Sequence, residues 1–241
     1  IDQSISLEIL KVVNKVEFLE PDEMRITSIH EAIYKLGFEN VQKIILNVSV
    51  LPLFAGTKFP LFFKAESLWK HSVGVALGCH VISEFLKYGN NDKAYACGLV
   101  HDIGKVAKIN FNSMSFSKEL FSAKRKNMTI HEMEVARNLL QHDILGSLIA
   151  EKWEMPFELS QSIRWHHTEL REDRIGVEDP EVHLLVDIVY LSNALANKIK
   201  FGNSGHSLNR PPSVKFLKRL GLKESSLIEL EQAIMADWET K

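Results

Sequence analysis

GLVHDIGK, residues 98–105, is the most informative segment of the chain, because it places a histidine and an aspartate side by side within a predicted helix. A lone His-Asp pair often arises by chance, but further candidate ligands lie at wide intervals on both sides of this one. The ordered set is His71, His101, Asp102, His142, His166, His167 and Asp187. Imidazole and carboxylate groups together suit a divalent first-row metal ion, so the pattern indicates a metal site.

The residues around the pair extend this chemistry. Because adjacent helical positions point about 100° apart, His101 and Asp102 share a metal only if it lies over the helix edge between them. The carboxylate of Asp102 has two oxygens and can bridge two ions. Lys105, three residues later, shares its face and could neutralise a phosphate oxygen. Asp102 and Lys105 are therefore the candidate catalytic residues, and Gly104 between them would let a neighbouring helix approach closely.

Asp187 lies in the otherwise apolar run LLVDIVY, residues 184–190. A buried carboxylate needs a partner, because burying an unpaired charge is costly. A metal, a lysine or a histidine would supply one. The remaining histidines are interpreted as structural or solvent-facing; they are His30, His80, His131, His183 and His206.

Composition and charge indicate an ordinary globular protein. The 241 residues are 45% hydrophobic and 25% charged, with a formal net charge of -2, so we expect neither nucleic acid nor an anionic membrane as a partner. Apolar stretches are interrupted within about ten residues, too short to span a bilayer. Cys79 and Cys97 form no CxxC pair and no signal-peptide pattern is visible, which indicates reduced thiols and a cytoplasmic location.

The hydrophobic periodicity is helical almost throughout, and no segment shows the alternation of a strand. We therefore predict an all-α, multi-helix bundle. The Gly/Pro loop at 56–60 marks a weak boundary, and a Gly/Ser/Asn/Pro-rich linker covers 202–212. The predicted parts are a small N-terminal helical part (1–58), a ligand-bearing core (59–200), and a C-terminal linker with helices (201–241).

Five stretches together carry a family resemblance: SIHEAIYKLGFENVQKIIL (28–46), LWKHSVGVA (68–76), YACGLVHDIGKV (95–106), HDILGSLIAEKWEMP (142–156) and IRWHH (163–167). They resemble the HD superfamily of metal-dependent phosphohydrolases, and most of all its HDOD branch, the HD-related output domains of bacterial signalling. The similarity runs from about residue 1 to 200. It implies an HD-domain-like all-α bundle, in agreement with the periodicity.

The resemblance also assigns roles by position. It implies that His71, His101, Asp102 and Asp187 hold a first divalent metal. His142, His166 and His167 add ligands for a second, and Lys105 matches a phosphate-facing lysine. Fe, Mn or Zn would occupy the site, as one ion or two. Many HDOD members are thought to have lost ligands, whereas this chain keeps the whole set.

One departure bears on the substrate. In the branch that hydrolyses cyclic dinucleotides, a Gly-Tyr-Pro signature follows the position of the histidine pair. Here residues 168–176 read TELREDRIG. The resemblance therefore gives no support to cyclic di-GMP hydrolysis.

Two functions stay open on the sequence. The first is a signal-transduction output domain that relays a state to signalling protein partners and whose metal is structural or regulatory. The second is an active metal-dependent phosphohydrolase or phosphodiesterase acting on a nucleotide or another phosphoester. The full ligand set favours the enzyme, while the overall resemblance and the missing Gly-Tyr-Pro favour the signalling domain. A DNA-associated regulator is a third class, against which the net charge argues.

Overall fold

The computed structural model describes residues 9–14, 25–37, 40–45, 47, 50, 63–206, 208 and 210–239. The predicted all-α class is confirmed, since these residues form helices and no strand. The chain divides into two compact units, Ile1–Ala55 and Gly56–Lys241. Among the described helices, none is both long and apolar enough to cross a membrane. His30 lies in a helix, but its side chain is outside the described set.

The first unit has its own small core. Residues 9–13 and 40–45 are helical, and α1 spans Ile29–Leu36. Asn14 ties two segments together: its amide nitrogen donates to the carbonyl of Ile26 (2.7 Å), and the amide of Ile26 donates back to its Oδ1 (2.8 Å). One cluster of buried apolar side chains in this unit contains Ile9, Val13, Ile26, Ala32, Leu36 and Val41.

The second unit carries the candidate site on a succession of helices. These are α2 (Ala65–Phe85), α3 (Asn91–Val100), α4 (Ile103–Lys126), α5 (Ile130–Ala136), α6 (His142–Lys152), α7 (Phe157–Trp165), α8 (Pro180–Lys198), α9 (Val214–Arg219) and α10 (Glu224–Glu239). A short 3-10 turn, Arg171–Asp173, precedes α8.

The main core of this unit lies between α2 and α8. Val75 and Ile82 on α2 pack with Leu185 and Leu191 on α8 in one buried cluster. This cluster also contains residues of α3, α9 and α10, including Cys97. Both cysteines are buried free thiols. Because α2 and α8 are held by apolar contacts along their length, polar side chains on their facing surfaces are fixed in the interior.

Two glycines allow the close helix contacts on which the site depends. A Cβ added to Gly98 on α3 would lie 2.8 Å from Cα of Ala76 on α2. A Cβ added to Gly104 would lie only 1.8 Å from the backbone oxygen of His142. Gly104 therefore permits the close helix approach expected from the sequence, and it sets the start of α4 against the start of α6.

Candidate metal centre

Six of the seven predicted ligands converge in the second unit. They form two groups that share Asp102: one is His71, His101 and Asp102, and the other is Asp102, His142, His166 and His167. Within each group the potential ligand atoms all lie within 4.8 Å of one another. All are buried except His167, which is half-buried. The structure therefore brings together side chains that are up to 96 positions apart in the sequence.

Asp102 stands between the two groups, with one oxygen towards each. Its Oδ2 lies 3.3 Å from Nε2 of His101 and 3.9 Å from Nε2 of His71. Its Oδ1 lies 3.4 Å from Nε2 of His142 and 3.5 Å from Nε2 of His166. This placement matches the bridging geometry that a two-oxygen carboxylate can adopt between two ions.

The sequence predicted the His-Asp pair in the middle of a helix, but in the structure it lies between two helices. His101 closes α3, and Asp102 has non-helical dihedrals (φ -100°, ψ 13°) immediately before α4. The turn explains how both side chains reach one point, since adjacent residues of a regular helix diverge by about 100°. His71 comes from α2, His142 opens α6, and His166 follows α7.

Backbone carbonyls orient two of the imidazoles. Nδ1 of His101 lies 2.7 Å from the oxygen of Gly98, and Nδ1 of His166 lies 2.7 Å from the oxygen of Ile163. A carbonyl oxygen only accepts, so each Nδ1 carries the proton and donates it. When the ring is neutral, Nε2 then presents a lone pair to the centre, which is the form in which histidine binds a metal.

A buried polar chain supports the third imidazole. Nδ1 of His142 lies 2.7 Å from Oε2 of Glu134, and the backbone amide of His142 donates to the same oxygen (3.1 Å). The other oxygen of Glu134 accepts from Nζ of Lys108 (2.6 Å), which also binds Glu119 (2.5 Å). A carboxylate behind a histidine fixes the ring and raises its basicity as a metal ligand.

Three buried atoms at the centre have no hydrogen-bond partner among the residues that the structure describes. They are Nε2 of His101, Nε2 of His166 and Oδ1 of Asp102. Each presents a lone pair, and buried polar atoms without a partner are costly. A cation bound between them would satisfy all three at once. The donor set therefore fits a divalent metal of the type that imidazole and carboxylate prefer.

The protonation of the histidines is set by burial and by charge. Burial lowers the pKa of His71 to about 3 and that of His166 to about 4, so both are neutral near pH 7. Burial also lowers the pKa of His142, but the Glu134 carboxylate outweighs it and raises the value to about 9. A metal at this position would displace the proton that His142 otherwise holds beside Asp102 and His167.

Lys105 lies beside Asp102, on the face expected from its spacing, and its phosphate-facing role stays a prediction. In the structure the side chain is buried, and Nζ lies 2.7 Å from Oδ2 of Asp102. Burial raises the pKa of Asp102, but His101 and Lys105 outweigh it and hold that pKa well below its usual range. Lys105 therefore balances the charge of Asp102 directly.

Asp187 is not among the converging ligands, contrary to the prediction. Its Oδ1 accepts from Arg174 (2.6 Å) and Arg219 (2.9 Å), and its Oδ2 accepts from Arg171 (2.6 Å). Both oxygens are thus engaged by guanidinium groups, and Arg174 is itself fully buried. Asp187 has the partner that a buried carboxylate needs, but the partner is arginine. It anchors the loop before α8 and the α9 helix to α8.

Several residues near the centre were not singled out from the sequence. Oδ1 of Asn193 on α8 lies 3.1 Å from Nε2 of His71. His131, expected to be structural or solvated, stacks on His167 with ring centroids 4.4 Å apart. A polar residue inside the apolar α8 run was the available signal for Asn193, the same signal that drew attention to Asp187.

A cavity of about 250 Å³ opens beside the second group. Its wall includes His166 and His167 from the candidate centre, together with Asn193, His131 and His206. His206 was expected in a linker without a role, yet burial lowers its pKa to about 4 and it faces this cavity. Arg210 adds a cation to the wall, where it pairs with Glu132 at 2.8 Å. A small ligand in the cavity would contact ligand-bearing residues directly.

The comparison with protein families matches most of the chain to a known domain. A model of the HDOD domain matches residues 1–169. A protein of Treponema pallidum (strain Nichols), described as uncharacterized, is 24% identical over 174 residues, which are 69% of this chain and 31% of that protein. The chain thus spans less than a third of the length of that relative.

Three solved structures share the fold. An HDOD domain protein of unknown function from Geobacter sulfurreducens is 24% identical, with a TM-score of 0.74 over 99% of this chain and 78% of that one. A proposed signal transduction protein from Marinobacter aquaeolei VT8 is 17% identical (TM-score 0.72, 99% and 52% covered). A proposed phosphohydrolase from Shewanella amazonensis SB2B is 17% identical (TM-score 0.67, 98% and 79% covered). At these identities the likeness establishes the fold alone.

Proposed function

The chain belongs to the HDOD domain family, and from that premise we propose that it is a signal-transduction output domain built around a divalent metal centre at Asp102. The observation that carries the proposal is the set of three unpartnered buried atoms on His101, Asp102 and His166. Without a cation, these lone pairs face one another in the interior, which is an unfavourable arrangement for a folded protein.

The metal would be held by the two groups that share Asp102. His71 and His101 lie on one side of the carboxylate, and His142, His166 and His167 lie on the other. Imidazole with carboxylate suits Fe, Mn or Zn better than Mg or Ca, which prefer oxygen ligands. Because the ligands come from several helices and the turns beside them, a bound ion would tie these elements together.

A signalling role needs a surface through which the state of the domain reaches a partner. On α4, which begins at the site and is kinked at Asn112 (φ -158°, ψ 87°), three large apolar side chains are exposed: Phe111 (92%), Met114 (70%) and Phe121 (57%). Exposed apolar groups gathered on one element are typical of protein contacts. The proposed relay therefore runs from Asp102 along α4 to a protein partner.

A second candidate function is hydrolysis of a nucleotide or another phosphoester, and the cavity beside His166 and His167 favours it. A bound divalent ion supplies Lewis acidity and an activated water for such chemistry. Arg210 and the half-buried ring of His131 would contact an anionic group in the cavity. Lys105 would keep the charge of Asp102 balanced through its contact with Oδ2.

The test is a thermal melt of chelator-stripped protein with and without added Mn²⁺, Fe²⁺ or Zn²⁺. A ligand that binds only the native state raises the free energy of unfolding, by about 2.7 kcal/mol at one hundred times its Kd, and so raises the melting temperature. We expect a rise for the wild type and none for Asp102→Ala. Equal responses of the two proteins would contradict the metal centre. A screen of phosphoesters with the metal-loaded protein then separates the enzyme from the signalling domain.

A further inference from the structure

Asn193 brings an amide oxygen to the group formed by His71, His101 and Asp102. Its Oδ1 lies 3.1 Å from Nε2 of His71, and both side chains are buried. It comes from α8, whereas the other members come from α2 and from the turn between α3 and α4. The question is whether this contact is an ordinary hydrogen bond or part of a metal site.

The orientation of the amide is fixed by its neighbour. Nδ2 of Asn197 lies 2.9 Å from the backbone oxygen of Asn193 and 2.9 Å from its Oδ1. A backbone carbonyl only accepts, so this atom of Asn197 must be the amide nitrogen. That nitrogen donates to Asn193, and the atom it meets there must be the oxygen. Asn193 therefore turns its oxygen, and not its NH₂ group, towards His71.

His71 cannot satisfy both of its oxygen neighbours by itself. Its Nδ1 lies 3.2 Å from the carbonyl oxygen of Phe201, and its Nε2 faces Oδ1 of Asn193. A buried neutral imidazole carries one N–H, so one of its nitrogens presents a lone pair to an oxygen. A cation bound by Nε2 and Oδ1 removes this conflict, while Nδ1 keeps its proton and donates it to Phe201.

We propose that Asn193 is the fourth ligand of the His71 group and that its neutral amide makes this group the weaker of two metal positions. The inference rests on the proposed metal centre. The other group has three imidazoles, one of them supported by Glu134, and imidazole binds first-row metals more strongly than an amide oxygen does. A second ion would also meet the charge of the first across Asp102. The His142 group therefore fills first and the His71 group second.

The experiment is a titration of the chelator-stripped chain with Mn²⁺, followed by calorimetry and by analysis of the metal retained after dialysis. The wild type should bind in unequal steps. Asn193→Asp places a charged oxygen at the same position and should tighten the weaker step by on the order of 10- to 100-fold, with the stronger step little changed. If the wild type retains one ion after dialysis and Asn193→Asp retains two, this result supports the role of Asn193 equally well.

Two further variants complete the test: one removes the ligand, and the other is a matched control. Asn193→Ala removes the ligand and should weaken or abolish the weaker step, which covers the case in which the aspartate variant does not fold. Ala194→Asp adds the same charge at the next residue, which also lines the cavity, and should change that step much less.

The failures of the two proposals are distinguishable. If the weaker step in the wild type is unaffected by both Asn193 variants, or if Ala194→Asp tightens it equally, Asn193 is not a ligand although the metal centre stands. If the wild type shows no binding step, the proposal of a metal centre is wrong, and so is the proposed role of Asn193.

Discussion

Glu134 and His142 are joined by a 2.7 Å contact between a carboxylate oxygen and the ring Nδ1, and both side chains are fully buried. The same oxygen accepts the backbone amide of His142, so Glu134 fixes both the ring and the start of α6. This is the arrangement in which a carboxylate orients a metal-binding histidine from behind.

Replacing Glu134 by glutamine should therefore weaken metal binding without removing a ligand. We expect the dissociation constant of the tighter ion to rise by about 10- to 100-fold, the usual effect of changing a group behind a ligand. Competition with a chelating dye measures this constant. Glu151→Gln, at an exposed position on α6, is the control and should leave it unchanged. Equal constants for Glu134→Gln and the wild type would show that Glu134 does not support a metal ligand.

Asp187 should behave as a structural anchor and not as a ligand. Asp187→Asn leaves three guanidinium groups without their carboxylate, and breaking a buried ion pair typically costs about 3–5 kcal/mol. We predict a large loss of stability in urea unfolding with the metal content of the folded protein unchanged. A variant that stays stable but loses its metal would restore Asp187 to the ligand set that the sequence predicted.

Gly104 should tolerate no side chain. A methyl group there would lie 1.8 Å from the backbone oxygen of His142, so α6 must move away from α4. We expect Gly104→Ala to lose at least about 1–3 kcal/mol of stability through overpacking, and to bind metal more weakly because His142 shifts from Asp102. Asn110→Ala, at an exposed position on the same helix, should have no such effect. Wild-type stability and metal affinity in Gly104→Ala would contradict the close contact.

Lys105 should matter most when metal is absent. Its ammonium is 2.7 Å from Asp102, so Lys105→Met leaves a buried carboxylate with one cation fewer. We expect the metal-free protein to lose up to about 3–5 kcal/mol of stability, and added metal to restore most of it. Lys118→Met, exposed on α4, serves as the control. Should metal-free Lys105→Met melt like the wild type, the ammonium does not balance Asp102.

The helical class could be anticipated from local patterns, whereas the grouping of the candidate ligands was expected only from the family resemblance. Helical periodicity depends on residues that are close together in the sequence, and the His-Asp pair is a short motif. The residues whose surroundings differ from the expectation depend on contacts between distant segments. The partners of Asp187 lie 13, 16 and 32 positions away, and nothing near it in the sequence distinguishes arginine from a metal.

Asn193 and Lys105 illustrate the same limit. Asn193 and His71 are 122 positions apart in the sequence, and they meet only because α8 packs against α2. Lys105 was expected on the face of Asp102 from their spacing of three residues, and its ammonium contacts that carboxylate. Its burial depends on how the surrounding helices pack, which its own sequence context does not specify. Local geometry was therefore predictable, and the interior contacts of the same side chains were not.

The metal content of the protein, purified in the absence of air and chelator, tests the central claim most directly. We predict that the wild type retains roughly one to two ions of Fe, Mn or Zn per chain, the metals suited to this donor set, and that Asp102→Ala retains almost none. A wild type that carries no metal, and takes up none when all three are added, would show that the buried histidines and Asp102 do not form a metal centre.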